Sequence, residues 1–240
     1  MSVIFKGTPW FMLAIRTLLF IFFQACIAGI FYLTGADSPW HSSEAWWTFG
    51  VIFTNIVCIF LLIKLFRWEG TSYLKEFRFV KDGWWKDLLI CLGIFVLSAP
   101  LSMLPNVWLS NSLFGSSEVA HKLFFKPLPQ WAVWASILFP LTHVFAELPV
   151  YFGYAMPRLE RQLKNGWFAW IISSLFLALQ HGALPLVADQ RFIIWRIGMF
   201  VPFALFAGLC IKLRPRLLPY MMIGHGLLDL MLVLMIPVVK

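Results

Sequence analysis

Seven apolar runs dominate this sequence, each near the roughly 20 residues that a helix needs to cross a bilayer. They lie at 10–33, 46–66, 88–104, 131–156, 167–181, 192–211 and 217–238. In lipid every backbone polar group must find its partner within the chain, so runs of this length are read as helices. The expected fold is therefore all-α: a polytopic transmembrane helix bundle of about seven spans. The third and fifth runs are short. The first is too long and too weakly basic at its front for a cleaved signal peptide, and is read as an uncleaved span.

Composition agrees with that class. Hydrophobic residues make up 61% of the 240 and charged residues only 12%, against roughly 25% charged in soluble domains. Thirteen Trp and 25 Phe suit bilayer interfaces and lipid-facing surfaces. The length fits one bundle and leaves no room for a second sizeable soluble domain. Cys26, Cys58, Cys91 and Cys210 are dispersed through apolar stretches, which argues against a disulfide framework or a cysteine metal site.

The net charge of +8 would suit nucleic acid if it were clustered, but its distribution points to a membrane. With the N-terminus cytoplasmic, the inner segments hold Lys6, Arg67, Lys75, Arg78, Lys81, Lys86, Arg158, Arg161, Lys164, Lys212, Arg214 and Arg216. The outer segments hold only Lys122, Lys126, Arg191 and Lys240. Twelve against four is a strong positive-inside bias, and it alternates correctly through seven spans. The expected partner is membrane lipid, with no nucleic acid. A short interfacial helix is expected between Ser116 and Lys126 on the outer face.

Function is sought in what stays polar inside the spans. Of the eleven acidic residues only Glu147 and Asp229 fall there, and of the five histidines His143, His181 and His225 do. An ionisable group at a helix centre costs roughly 2.5–3.5 kcal/mol on insertion scales, so it marks a functional site by default. At about 1.5 Å rise per residue all five lie roughly 12–21 Å from the inner ends of their helices. His143 with Glu147, and His225 with Asp229, are each four apart and share a helix face. Arg16, Lys64 and Arg196 also lie in spans and are expected to snorkel on their long stems. His41 and His121 are expected in outer loops. Gln24 and Asn55 have no partner that the sequence identifies, and Pro149 and Pro157 are expected to kink or end the fourth helix.

Such a layer supports hydrolysis of a carbonyl substrate by two routes. A buried carboxylate can act as general base on a water, with neighbouring polar groups stabilising an oxyanion. Alternatively, mixed imidazole and carboxylate ligands suit a zinc ion with an open position. A proton-coupled transporter would use the same residue types, although no pair of discontinuous helices marks one.

Three segments carry a family resemblance. The segment 147–159 (ELPVYFGYAMPRL) resembles the first signature, E-E-x-x-x-R, of the CAAX-prenyl-protease and bacteriocin-processing (CPBP) family. The segment 173–182 (SSLFLALQHG) resembles its second, F-x-x-x-H, and 218–229 (LPYMMIGHGLLD) its last, H-x-x-x-N or H-x-x-x-D. The stretch 203–211 matches the helix that leads into the last motif. Order and spacing are kept, so the chain divides into N-terminal membrane helices and an outer loop (1–130) and core helices similar to the family's (131–240).

The resemblance implies an intramembrane endopeptidase in a bacterial or archaeal cell membrane, acting on a peptide or membrane protein that is prenylated in some branches. Glu147 would match the residue that activates the attacking water, and His181 the one that holds it. His225 and Asp229 would match the pair proposed to stabilise the oxyanion or to help bind metal. A zinc site would draw on His181, His225, Glu147 and Asp229, and the sequence leaves metal and metal-free mechanisms open. Leu148 stands where the family has a second Glu, Phe152 where it has Arg, and Leu177 where the second motif has Phe. His143 is the candidate to take over part of the missing Glu's work. A non-catalytic relative with an immunity or scaffolding role is the alternative.

Overall fold

Proline has no N–H to give the preceding turn and clashes with it, so an apolar run that contains proline need not be one straight helix. That rule decides where this bundle is regular and where it is broken. The structure, a computed structural model, describes residues 6–239; Lys240 of the outer charge count lies outside them. In chain order the helices are α1 (Thr8–Leu33), α2 (Pro39–Ser43), α3 (Trp47–Trp68), α4 (Trp84–Phe114), α5 (Ser117–Phe124), α6 (Gln130–Ala135) and α7 (Leu138–His143). A π-helical stretch, Pro149–Ala155, follows, and then α8 (Met156–Leu163), α9 (Gly166–Leu179), α10 (Gln190–Leu213) and α11 (Leu218–Leu234). Among the described residues the sole β pairing is an isolated bridge between Leu128 and Val238.

The fold is an all-α bundle, as the apolar runs predict. Among the described residues five segments are long and apolar enough to cross a membrane: Thr8–Leu33, Pro39–Trp68, Trp84–Phe114, Gln190–Leu213 and Pro215–Leu234. The runs expected at 131–156 and 167–181 are instead built from shorter pieces. Large apolar side chains such as Leu33, Phe60, Val96 and Leu234 stand exposed along the helices. A continuous surface of that kind is what lipid, rather than water, covers.

The alternation read from the charges reappears in the contacts. Segments assigned to the inner side meet at one end of the bundle. Arg214 and Arg216 both bind Asp87, which is fully buried at the start of α4, and Arg158 pairs with Glu69. Burial alone would raise the Glu69 carboxyl, but the Arg158 guanidinium beside it outweighs this and holds it below the usual carboxylate range. At the other end Lys126 pairs with Glu44 and the Trp40 indole donates to the Leu186 carbonyl. Gln24, without a partner in the sequence reading, holds both backbone groups of Leu186, at 3.0 and 2.8 Å. The expected helix on this side forms as α5, with the Ser116 hydroxyl accepting from the Val119 amide.

Snorkelling holds for Lys64, which is exposed with its ammonium over Trp68. It fails for the two arginines. Arg196 is 5% exposed, with its guanidinium over Phe124 at 4.0 Å. Arg16 has no exposed surface at all. Both find partners inside the bundle, which removes the reason to reach for the headgroups.

Candidate active site

The fourth apolar run breaks twice before it reaches Glu147. A turn at Ser136–Ile137 separates α6 from α7, whose Pro140 has no N–H to give the Ser136 carbonyl, and Val144–Ala146 form a second turn between His143 and Glu147. The next proline shapes the site directly. Pro149 has no N–H to give the Phe145 carbonyl, and the Tyr73 hydroxyl donates to that oxygen instead. Beyond it the chain winds as a π-helix to Ala155, a local widening that recurs at functional sites. The expectation of a kink or stop at Pro149 and Pro157 therefore becomes a π-helical stretch with α8 starting just before Pro157.

Glu147 is 1% exposed and is held by three donors. The Gln180 amide Nε2 donates to its Oε1 at 2.5 Å. His143 Nε2 stands 3.1 Å from the same oxygen, and His225 Nε2 stands 2.6 Å from Oε2. A carboxylate offers about four lone-pair positions, so three donors leave one free.

His181 sits in the tight turn that ends α9. Its Nδ1 donates to the Leu177 carbonyl at 2.9 Å, and its ring stacks on Phe200. A carbonyl only accepts, so Nδ1 carries the proton and Nε2 presents a lone pair. That lone pair lies 4.0 Å from Glu147 Oε1, too far for a hydrogen bond and a gap of the size that water bridges. Asp229 Oδ2 lies 3.8 Å from both His143 Nε2 and His225 Nε2. Asp229 Oδ2 and His225 Nδ1 are buried without a protein hydrogen-bond partner, and such atoms ask for a polar ligand.

The other four residues singled out in the sequence thus gather around Glu147. Three more were not singled out. Arg16 Nε donates to Gln180 Oε1 at 2.8 Å and its Nη1 to Asn55 Oδ1 at 2.9 Å. Its Nη2 lies 3.4 Å from His143 Nδ1. Gln180 stood beside His181 in the second motif, and Arg16 and Asn55 were already visible as polar residues in spans. What was missing was the packing of α1 and α3 against the core helices.

Residues 129–231, which contain every one of the motif residues, match the protein-family model described as Type II CAAX prenyl endopeptidase Rce1-like. The match supports assigning this region to the CPBP family. No curated protein and no solved structure gives a significant match. The long apolar helices are those of an integral membrane protein, and the matched family is a peptidase family.

Whether a CPBP site of this build suits zinc can be tested on its wiring. Among the described residues, ligand atoms of His143, Glu147 and His225 lie within 4.8 Å of one another, a donor set of the kind that catalytic zinc uses. His181 and Asp229, expected in that set, fall outside it. However, a zinc-bound histidine turns its other nitrogen outward as an N–H donor. His143 Nδ1 lies 3.4 Å from both Arg16 Nη2, which only donates, and Asn55 Oδ1, which accepts but is already engaged by Arg16 Nη1. His225 Nδ1 has no partner at all. The wiring of His225 does not match that of a metal ligand, and no step below passes through one.

Proposed function

We propose that this protein is a glutamate-dependent intramembrane endopeptidase. One observation carries the reading: a carboxylate buried in the bundle has three of its lone-pair positions filled by fixed donors, and an imidazole lone pair stands 4.0 Å away. A water donating to His181 Nε2 and to the free position on Glu147 would have its oxygen lone pair aimed outward. Glu147 takes a proton from that water as its oxygen attacks the peptide carbonyl. The proton then passes to the leaving amine as the carbon–nitrogen bond breaks, and the products are a carboxylic acid and an amine. General-base assistance of this kind contributes about 10²–10⁴-fold. Asp229 Oδ2 and His225 Nδ1 are the partnerless groups from which the polar atoms of the substrate would be held.

A substrate with a prenyl or similar apolar tail has a place to lie. A cavity of about 630 Å³ between α4 and α11 is lined by Trp84, Leu88, Cys91, Phe95, Tyr220 and Leu227 among others. None of the site residues lines it, so the tail would pack there while the peptide reaches Glu147 past α11.

A second reading, a non-catalytic relative, is favoured by Leu148 and Phe152. Both are 2% exposed and pack in the apolar core at the positions where the signature has charges. A cleavage assay on the purified protein separates the two, using prenylated and unprenylated peptides with and without chelator. Chelator-resistant cleavage supports the first reading. No cleavage of either peptide supports the second.

A further inference from the structure

Among the described residues, Arg16 is the one guanidinium in contact with the groups that hold Glu147, and it comes from α1, far outside the motifs. Its three hydrogen-bonding nitrogens address three different side chains: Gln180 Oε1, Asn55 Oδ1 and His143 Nδ1. Each contact removes a choice. A primary amide can point either way, but Gln180 lies between a guanidinium, which only donates, and a carboxylate, which only accepts. Its Oε1 must face Arg16 and its Nε2 must face Glu147. Asn55 is fixed in the same manner, with Oδ1 toward Arg16 and Nδ2 donating to the Thr142 hydroxyl at 3.0 Å.

The third contact acts on a proton. A neutral imidazole carries its hydrogen on either nitrogen, and the partner of one ring nitrogen selects the state of the other. Asn55 Oδ1 lies as near to His143 Nδ1 as Arg16 Nη2 does, 3.4 Å each, but it already accepts from Arg16 Nη1 at 2.9 Å, whereas among the described residues Nη2 has no acceptor besides Nδ1. The hydrogen is therefore placed on Nε2, the atom 3.1 Å from Glu147 Oε1. Two of the three donors on Glu147 are therefore set by Arg16 through intermediaries. Position 152, where the signature has an arginine, is filled here by Phe152, which packs close to Gly208.

We propose that Arg16 is a positioning residue of the active site: it locks the Gln180 amide and the Nε2–H tautomer of His143 so that both donate to Glu147 Oε1. This rests on the reading of Glu147 as general base. Arg16 does not touch the reacting atoms.

The test uses the full chain in lipid bilayers, labelled with ¹⁵N-histidine and observed by solid-state NMR at neutral pH, with the His143 ring assigned by difference from His143→Gln. The unmodified protein should show His143 as Nε2–H. Arg16→Met should shift it to the Nδ1–H form or a mixture, and lower kcat on the order of 100-fold, the usual cost of a catalytic group misplaced by about 1 Å, with KM within about two-fold. If Arg16→Met does not fold, Arg16→Lys serves, since an ammonium cannot address three acceptors as a fork does; it should show the same tautomer mixture. A His143 ring that is Nδ1–H or metal-bound in the unmodified protein would overturn the inference. So would an unchanged tautomer in a folded Arg16 variant. Cleavage that survives Glu147→Gln would instead remove the base assignment, whatever the tautomer of His143.

Discussion

His225 Nε2 stands 2.6 Å from Glu147 Oε2, across 78 positions of sequence. That contact joins the first and last CPBP motifs in one hydrogen-bonded group. His143 closes on the other carboxylate oxygen and the Gln180 amide sits beside it. Glu147 is thus not a free carboxylate in an apolar pocket but one whose orientation is fixed from three directions.

His143→Ala removes one of those donors and leaves Gln180 and His225 in place. Cleavage should fall on the order of 10–100-fold, the usual size of a lost supporting contact around a catalytic group, with little change in thermal stability. Restoring the family's second glutamate by Leu148→Glu should not rescue it. Leu148 is packed in the apolar core at 2% exposure, so a carboxylate there is buried without a partner and should lower the unfolding midpoint instead. Turnover assays paired with thermal unfolding in detergent read both outcomes.

Tyr73→Phe deletes a single hydroxyl, the one that donates to the Phe145 carbonyl left open by Pro149. An acceptor buried without its donor costs about 1–3 kcal/mol, which for a chain of this size lowers the unfolding midpoint by several degrees. Because that carbonyl lies two residues before Glu147, activity should fall as well. A variant with the unmodified midpoint would show that the π-helical stretch does not depend on Tyr73.

Glu69 supplies the pH dependence. Its carboxyl is held below its ordinary value of 4.5 by Arg158, so it contributes stability that is fully present above about that pH. The contribution is lost as pH falls through the lower value of the folded protein. Glu69→Gln should therefore lower the unfolding midpoint near pH 7 and flatten its dependence on pH below about 4.5. Parallel unfolding series on both proteins between pH 3 and 7 check this.

Much of this architecture is legible from residues alone. The apolar runs and the Lys and Arg bias state the class and the pairing of loops at each end, since hydrophobicity and charge are local properties of the chain. The five candidate residues are legible because an ionisable side chain in an apolar run has few structural excuses. The break at 144–146 and the π-helical stretch are not, because prolines state only where a helix is disturbed and not what shape the disturbance takes. Arg16 and Asn55 escaped for a different reason. A long cation near a helix end and a lone amide both have bland explanations, and only the packing of α1 and α3 against α7 and the end of α9 shows that they point inward. The zinc ligands expected from the motifs differ from the trio that the bundle gathers because side-chain direction, not depth, decides which donors meet.

The most direct measurement is the turnover of Glu147→Gln on a peptide that the unmodified protein cleaves. The amide keeps the shape of the carboxylate and its capacity to accept from His143, Gln180 or His225 through one oxygen, but it cannot take a proton from water. Cleavage should fall by at least about 100-fold, while the protein stays monodisperse and its unfolding midpoint moves little. Undiminished turnover in that variant would contradict the assignment of Glu147 as the base.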